Sequence, residues 1–131
     1  MYAMNRCREE RGKLHTNSLI KGLLRIDNIA VESVFFEEND GEEVLVVRVR
    51  PYSRQMGRCP SCLKRCSGYD SARRIRRWRS LDLGSTRVYL EANAPRVHCR
   101  EHGVIVAKVP WARHDSDYTH DFEMAVTYLR Q

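Results

Sequence analysis

The chain has 131 residues, of which 42% are hydrophobic and 31% are charged, a composition typical of a globular protein rather than of a disordered one. No stretch of about 18 apolar residues and no apolar N-terminal segment occurs, which excludes a membrane span and a secretory signal and predicts a cytoplasmic protein. Residues 51–131 contain 15 basic and 8 acidic residues, a net charge of +7. Such a basic region suits a polyanionic partner such as nucleic acid.

The N-terminal part of the chain predicts a short helix followed by a β-hairpin. Residues 1–18 have no periodicity and are interpreted as a poorly ordered leader. Residues 19–54 are predicted to form the helix and the hairpin, because two β-rich runs, 29–37 and 44–49, are separated by the turn signal Asp40-Gly41. Asn17-Ser18 is a candidate N-cap for the helix, whose apolar residues recur at helical spacing: Leu19, Ile20, Leu23 and Leu24.

Residues 55–113 are predicted to form a zinc ribbon, because two pairs of metal-binding side chains occur in this segment. Cys59 and Cys62 form the first pair, and Cys99 and His102 form the second. A two-residue spacing allows both side chains of a tight turn to reach one ion. Four protein ligands leave no open position for water, so the site is predicted to hold structural Zn²⁺ rather than a catalytic metal.

Two neighbouring side chains compete for these roles. Cys66 could replace Cys62, and His98 could replace His102, but either exchange breaks a two-residue spacing. Cys66 is therefore interpreted as a small packed residue, and His98 as strand surface.

A strongly basic strand lies between the two ligand pairs, in a region predicted to contain strands at 73–83, 86–92, 96–99 and 104–109. Its arginines are candidates for contacting DNA phosphates, since guanidinium groups bind phosphate bidentately. They are Arg73, Arg74, Arg76, Arg77 and Arg79. Trp78 is predicted to lie in the core. The competing interpretation is that these arginines are solvated or pair with Glu91 and Asp82.

Residues 114–131 are predicted to begin a helix. Apolar residues recur there at spacings of three and four, and Thr119 is a candidate N-cap. The fold class predicted for the whole chain is α+β: a small, mostly-β zinc ribbon with a preceding hairpin and short helix, and a C-terminal helix.

Several of these segments, taken in order, resemble the N-terminal zinc-finger region of insertion-sequence transposases of the ISL-three family. The segments that carry the resemblance are Cys59-Pro60-Ser61-Cys62, Arg77-Trp78-Arg79-Ser80-Leu81-Asp82-Leu83-Gly84, Arg96-Val97-His98-Cys99 and Val109-Pro110-Trp111-Ala112-Arg113. The following Asp115-Ser116-Asp117-Tyr118-Thr119 is similar to the family's entry into a helix-turn-helix.

The resemblance implies a DNA-binding portion of a transposase that recognises the terminal inverted repeats of its mobile element. In the family, a catalytic domain with a DDE carboxylate triad follows these elements, so no enzymatic activity is expected of this chain itself. Double-stranded DNA is the expected partner, and neither a membrane nor a small-molecule substrate is expected. The alternatives left open are a zinc enzyme, a zinc-stabilised interaction or assembly module that self-associates, and an inhibitor of the full-length enzyme.

Overall fold

The computed structural model describes residues 16–70 and 73–129. Most of the predicted leader, residues 1–15, lies outside the described residues. The described chain is mostly β, which confirms the predicted α+β class. In chain order its elements are helix α1 (16–24), strands β1 (Ile29–Asn39) and β2 (Glu42–Pro51), a 3₁₀ turn (Ser53–Gln55), strands β3 (Ser67–Gly68), β4 (Ile75–Leu83), β5 (Thr86–Asn93), β6 (Arg96–Cys99) and β7 (Gly103–Val106), and helix α2 (His120–Leu129).

The larger sheet has four strands in the order β1-β2-β5-β4. It consists of two antiparallel hairpins that are joined by a parallel pairing of β2 with β5, in which Leu45 lies beside Val88 and Arg48 beside Glu91. The turn of the first hairpin has positive φ at Asp40 (51°) and Gly41 (77°), as a two-residue type I′ turn requires. The predicted hairpin is confirmed. The predicted boundary between residues 54 and 55, however, separates strands that belong to this one sheet.

One face of helix α1 packs against this sheet. Ile20 and Leu24 are buried, whereas Leu19 and Leu23 are 63% and 54% exposed. The helical spacing was therefore predicted correctly, but only the two residues that lie four apart face the core. Residues 17 and 18 lie within the helix, because residue 16 is already helical, so the predicted N-cap at this point is wrong.

The main core lies on the face of the large sheet that carries Leu45, Val47 and Val49, as the alternation in β2 predicts. Trp78 of β4 is 1% exposed there and meets the ring of Trp111 edge-to-face, with centroids 5.2 Å apart. The prediction that Trp78 belongs to the core is confirmed.

The smaller sheet has three antiparallel strands in the order β3-β6-β7 and carries the predicted metal ligands. Strand β7 ends at Val106, three residues earlier than predicted. The chain beyond it remains extended, since the amide of Ala107 donates to the carbonyl of Pro95 and that of Lys108 to the carbonyl of Arg58.

The C-terminal segment returns to the edge of β4 before it becomes helical. The amide of Arg79 donates to Asp117, and that of Thr119 donates to Arg79. Helix α2 then begins at His120, with the Thr119 hydroxyl accepting from the amide of Phe122 at 3.3 Å, which confirms the predicted N-cap. In the described part of the chain, no helix has both the length and the apolar character that crossing a membrane requires.

Candidate metal centre and basic surfaces

The first ligand pair lies in a tight turn that begins at Cys59. The amide of Leu63 donates to the Cys59 carbonyl at 2.9 Å, and the amide of Cys59 donates to the Lys64 carbonyl at 3.0 Å. Closing this turn places Leu63 at a φ of 63°, in the left-handed region. The turn directs the side chains of Cys59 and Cys62 to the same point.

The second pair lies at the turn between β6 and β7, where Cys99 is directly opposite Gly103. Gly103 follows His102 just as Leu63 follows Cys62, and it has a φ of 74°. The two turns therefore have the same design, but only the second has glycine at the position where the backbone turns left-handed.

The four predicted ligands converge. Their donor atoms all lie within 4.8 Å of one another, and among the described residues this is the cluster of cysteine and histidine side chains that could hold a metal ion. The Nδ1 atom of His102 lies 3.5 Å from the sulfurs of both Cys59 and Cys99, and the sulfurs of Cys62 and Cys99 are 3.7 Å apart. Tetrahedral zinc bound by sulfur at about 2.3 Å and nitrogen at about 2.0–2.1 Å has edges of about 3.5–3.8 Å. The geometry therefore fits structural zinc, with His102 binding through Nδ1.

The surroundings of the cluster favour the thiolate, the form that binds metal, at Cys59 and Cys99. At Cys62 the backbone amide of Lys64 acts to lower the pKa, but burial and the neighbouring thiols outweigh it and raise that pKa above its usual value. The hydrogen bond from the His102 ring lowers the pKa of the Cys99 thiol to about 6. Burial acts to raise the pKa of Cys59, but the backbone amides of Cys62 and Ser61 outweigh it and lower that pKa below its usual value.

The two competing side chains are not in the cluster. The thiol of Cys66 donates to the carbonyl of Lys64 at 3.4 Å, and burial raises its pKa. His98 is exposed on β6, opposite Ser67 of β3. The interpretation of His98 as strand surface is confirmed.

Three of the five arginines of the basic strand are held by contacts within the protein. Arg77 forms ion pairs with both Glu37 and Glu91, and Arg79 pairs with Asp82 at 2.6 Å, as the competing interpretation anticipated. Arg76 donates to the Ser116 carbonyl at 2.7 Å and to Asp117 at 3.0 Å, and it lies over the Trp78 ring. Their positive charges are thus largely matched by carboxylates of the same chain.

Glu91 is the centre of a charged network on the second face of the large sheet. It is 3% exposed and accepts from both Arg48 and Arg77. Although burial acts to raise the pKa of Glu91, the two guanidinium groups lower it below its usual value. Glu37, whose pKa Arg77 also lowers, extends the network to β1.

Arg73 and Arg74 have a different setting, because they precede β4 and are exposed. The backbone of Arg74 is fixed on both sides: its amide donates to the Asn93 side chain, and its carbonyl accepts from Ala94. The strand was predicted to start at Arg73 but begins at Ile75, so these two arginines lie at its N-terminal approach.

A second group of arginines, not predicted as a site, surrounds the first metal-binding turn. They are Arg54, Arg58 and Arg65, hereafter the knuckle arginines. A charge count would have found them, since residues 51–69 contain four basic side chains and no acidic one.

This part of the chain is similar to known transposases. Residues 55–102 match the family described as the zinc-finger of transposase IS204/IS1001/IS1096/IS1165. The transposase for insertion sequence element IS1557 of Mycobacterium tuberculosis, from strains CDC 1551 / Oshkosh and H37Rv alike, is 43% identical over 114 residues. This alignment covers 85% of the chain but only 26% of the relative, so the chain spans about a quarter of the length of the curated relatives it matches. No solved structure matches it.

The matched segment begins just before Cys59 and ends at His102, so it encloses all four side chains of the cluster. Sequence similarity and ligand geometry therefore indicate the same four residues. In sequence, residues 55–102 are similar to the zinc-finger of ISL3-type transposases, and they carry the four-ligand cluster that a zinc ribbon needs.

Proposed function

We propose that this chain is a DNA-binding region of a transposase, and that it recognises the terminal inverted repeats of a mobile element. The observation that carries the proposal is the zinc ribbon, which is shared with transposases and lies in the strongly basic part of the chain. The proposed partner is double-stranded DNA, and the proposed place of action is the cytoplasm.

In this proposal the metal has a positional role. Three cysteines and one histidine would fill the tetrahedral shell of a bound zinc ion and would leave it no open position for a substrate. Two carboxylates near α2 are also engaged within the chain: Asp117 with Arg76, and Glu123 with Arg113 and Ser116. These contacts favour recognition over strand cleavage as the task of this region.

Of the five arginines proposed to meet DNA, Arg73 and Arg74 are the strongest candidates, because their side chains are exposed. Arg76, Arg77 and Arg79 are 29%, 34% and 18% exposed and already have carboxylate partners. We propose that these three mainly fix the position of β4 and contribute less to phosphate binding.

The test compares binding to a duplex carrying the terminal repeat with binding to a random duplex, across salt concentrations, by fluorescence anisotropy. Tighter binding to the repeat and a steep salt dependence are expected. The double variant Arg73→Gln/Arg74→Gln should weaken binding to both duplexes alike, because phosphate contacts carry no sequence information. Equal, salt-independent binding of the two duplexes by the unmodified protein would refute the proposal.

A second candidate function is assembly of the transposase. It is favoured by α2, where Met124, Tyr128 and Leu129 are 70%, 77% and 83% exposed. If this function is correct, light scattering will show dimers that the change Tyr128→Ser/Leu129→Ser dissociates, and the salt dependence of DNA binding will be weak. Monomers at all concentrations would exclude it.

A further inference from the structure

We infer that the first metal-binding turn itself contacts DNA phosphates, through the knuckle arginines Arg54, Arg58 and Arg65. The inference rests on the proposed DNA-binding function and extends it to a second surface, distinct from the strand β4. On this basis zinc does more than stabilise a hairpin, because it holds part of the phosphate-binding surface in place.

Hydrogen bonds gather the three arginines on one small substructure. The guanidinium of Arg58 donates to the carbonyl of Arg54 at 3.1 Å and to that of Leu63 at 3.0 Å, and Arg65 donates to the carbonyl of Ser53 at 3.3 Å. Arg54 itself donates to the side chain of Asn28 at 2.9 Å. All four acceptors are neutral, so the positive charges are ordered without being neutralised.

This arrangement is unfavourable for the isolated protein. Arg58 and Arg65 lie directly opposite each other in an antiparallel bridge, where two like charges destabilise the pairing. No carboxylate of the described residues forms an ion pair with any of the three arginines. Lys64, by contrast, has Glu101 at 3.4 Å.

The metal site balances only part of this charge. A divalent ion bound by three thiolates and a neutral imidazole has a net charge of −1, whereas the knuckle arginines carry +3. The excess positive charge therefore favours binding of an external anion. Backbone phosphates have the matching sign, and binding them releases counterions.

The backbone connects this surface with Arg74. Three backbone hydrogen bonds link four neighbouring extended segments in series: Ala94 donates to Arg74, Ala107 to Pro95, and Lys108 to Arg58. Adjacent extended segments lie about 4.8 Å apart, so about 14 Å separates the backbones of Arg74 and Arg58. The two basic surfaces are therefore close enough in the backbone for one duplex, whose major groove is about 12 Å wide, to span them.

The experiment measures the salt dependence of duplex binding for Arg54→Gln/Arg65→Gln. Arg58 is left unchanged because its two carbonyl contacts hold the turn. The matched control, Arg25→Gln/Arg87→Gln, removes the same charge from exposed arginines elsewhere. Zinc content is measured in all proteins with a colorimetric chelator.

We expect the knuckle variant to keep one zinc ion per chain and to lose about 1.8 from the slope of log K against log salt, since each phosphate contact contributes about 0.9. The control should keep the slope of the unmodified protein. Arg54→Lys/Arg65→Lys retains both charges and should restore most of the slope, which also tests the inference if the glutamine variant loses zinc.

An unchanged slope in the knuckle variant, equal losses in knuckle and control variants, or no recovery with lysine would each overturn the inference while leaving DNA binding by the protein intact. Absence of salt-dependent binding by the unmodified protein would instead overturn the proposed function, and this inference with it.

Discussion

The two sheets of this protein are stabilised by different means. The four-stranded sheet packs a continuous apolar core in which Trp78, Trp111 and Leu90 are essentially inaccessible to solvent. The three-stranded sheet contributes no fully buried side chain to that core, and Val106 only packs against it. The buried apolar residues of this sheet and of the segments next to it are few and small: Cys59, Val97, Cys99 and Ala107. A unit with so little apolar burial depends on its metal, because metal-binding energy is then folding energy.

The most severe test of this comparison is removal of the metal. Either chelation or the change Cys99→Ser should unfold β3, β6 and β7 while leaving the four-stranded sheet folded. Hydrogen exchange should show loss of protection at the amides of Val97 and Ile105, with protection retained at Val47 and Leu90. The control Cys66→Ser, outside the ligand cluster, should keep both its zinc and its protection pattern. If both sheets lose protection together, the contrast between them is wrong.

The second test weakens the four-stranded sheet instead, by truncating a side chain in its apolar core. Trp78→Ala should destabilise the four-stranded sheet by about 3–5 kcal/mol, because it leaves a large cavity beside Trp111. Urea unfolding followed by circular dichroism measures the effect, and Leu81→Ala, at a side chain that is 40% exposed, is the control. A loss below about 1 kcal/mol would show that this core is not the main source of stability.

A smaller effect is expected from the charged network on the other face of the same sheet. Glu91→Gln should cost about 1–2 kcal/mol at pH 7, since it leaves Arg48 and Arg77 without their shared carboxylate, although both guanidiniums are partly solvated. Glu42→Gln, which removes only an exposed pair with Arg87, should cost less than about 0.5 kcal/mol.

The pH dependence of this cost follows from the lowered pKa of Glu91. Its stabilising contribution is fully present above the unfolded pKa of about 4.3 and is lost as the pH falls through the lower pKa of the folded state. The difference between Glu91→Gln and the unmodified protein in tryptophan-monitored unfolding should therefore shrink below about pH 4. A difference that grows in acid would contradict this assignment.

The smallest expected effect is a gain in zinc affinity from a change in the first metal-binding turn. Leu63 has a φ of 63° at the position where the second turn has Gly103, so Leu63→Gly should relieve about 1 kcal/mol of backbone strain. Competition with a chelator should show zinc held about fivefold more tightly. Leu63→Ala keeps the Cβ atom and should show no gain. A weaker zinc affinity in the glycine variant would mean that the Leu63 side chain, 49% exposed, contributes more than its backbone costs.

The sequence was sufficient for features that depend on local chemistry. The spacing of Cys59, Cys62, Cys99 and His102 predicted the metal cluster, because a tight turn fixes the relation between two ligands. The turn at Asp40-Gly41 and the cap at Thr119 were likewise predicted from the conformational preferences of single residues.

Features that depend on distant partners could not be predicted in the same way. Nothing local to β2 or β5 indicates that they pair in parallel, since both read as ordinary strands of separate hairpins. For the same reason the sequence left open whether the β4 arginines faced DNA or carboxylates. Glu37, which pairs with Arg77, comes from a strand 40 residues away, and nothing in the sequence near Arg77 indicates it.

The parallel pairing of β2 with β5 also has a consequence for the order in which the metal site can assemble. Cys62 and Cys99 are 37 positions apart, and joining the ends of so long a flexible segment costs conformational entropy. Once residues 88–91 lie beside residues 45–48, most of that segment is already folded back, and Cys99 emerges from the ribosome eight residues after Glu91. A chain in which β2 and β5 have already paired thus holds the two ligand pairs near each other, whereas in an unfolded chain the two pairs are far apart.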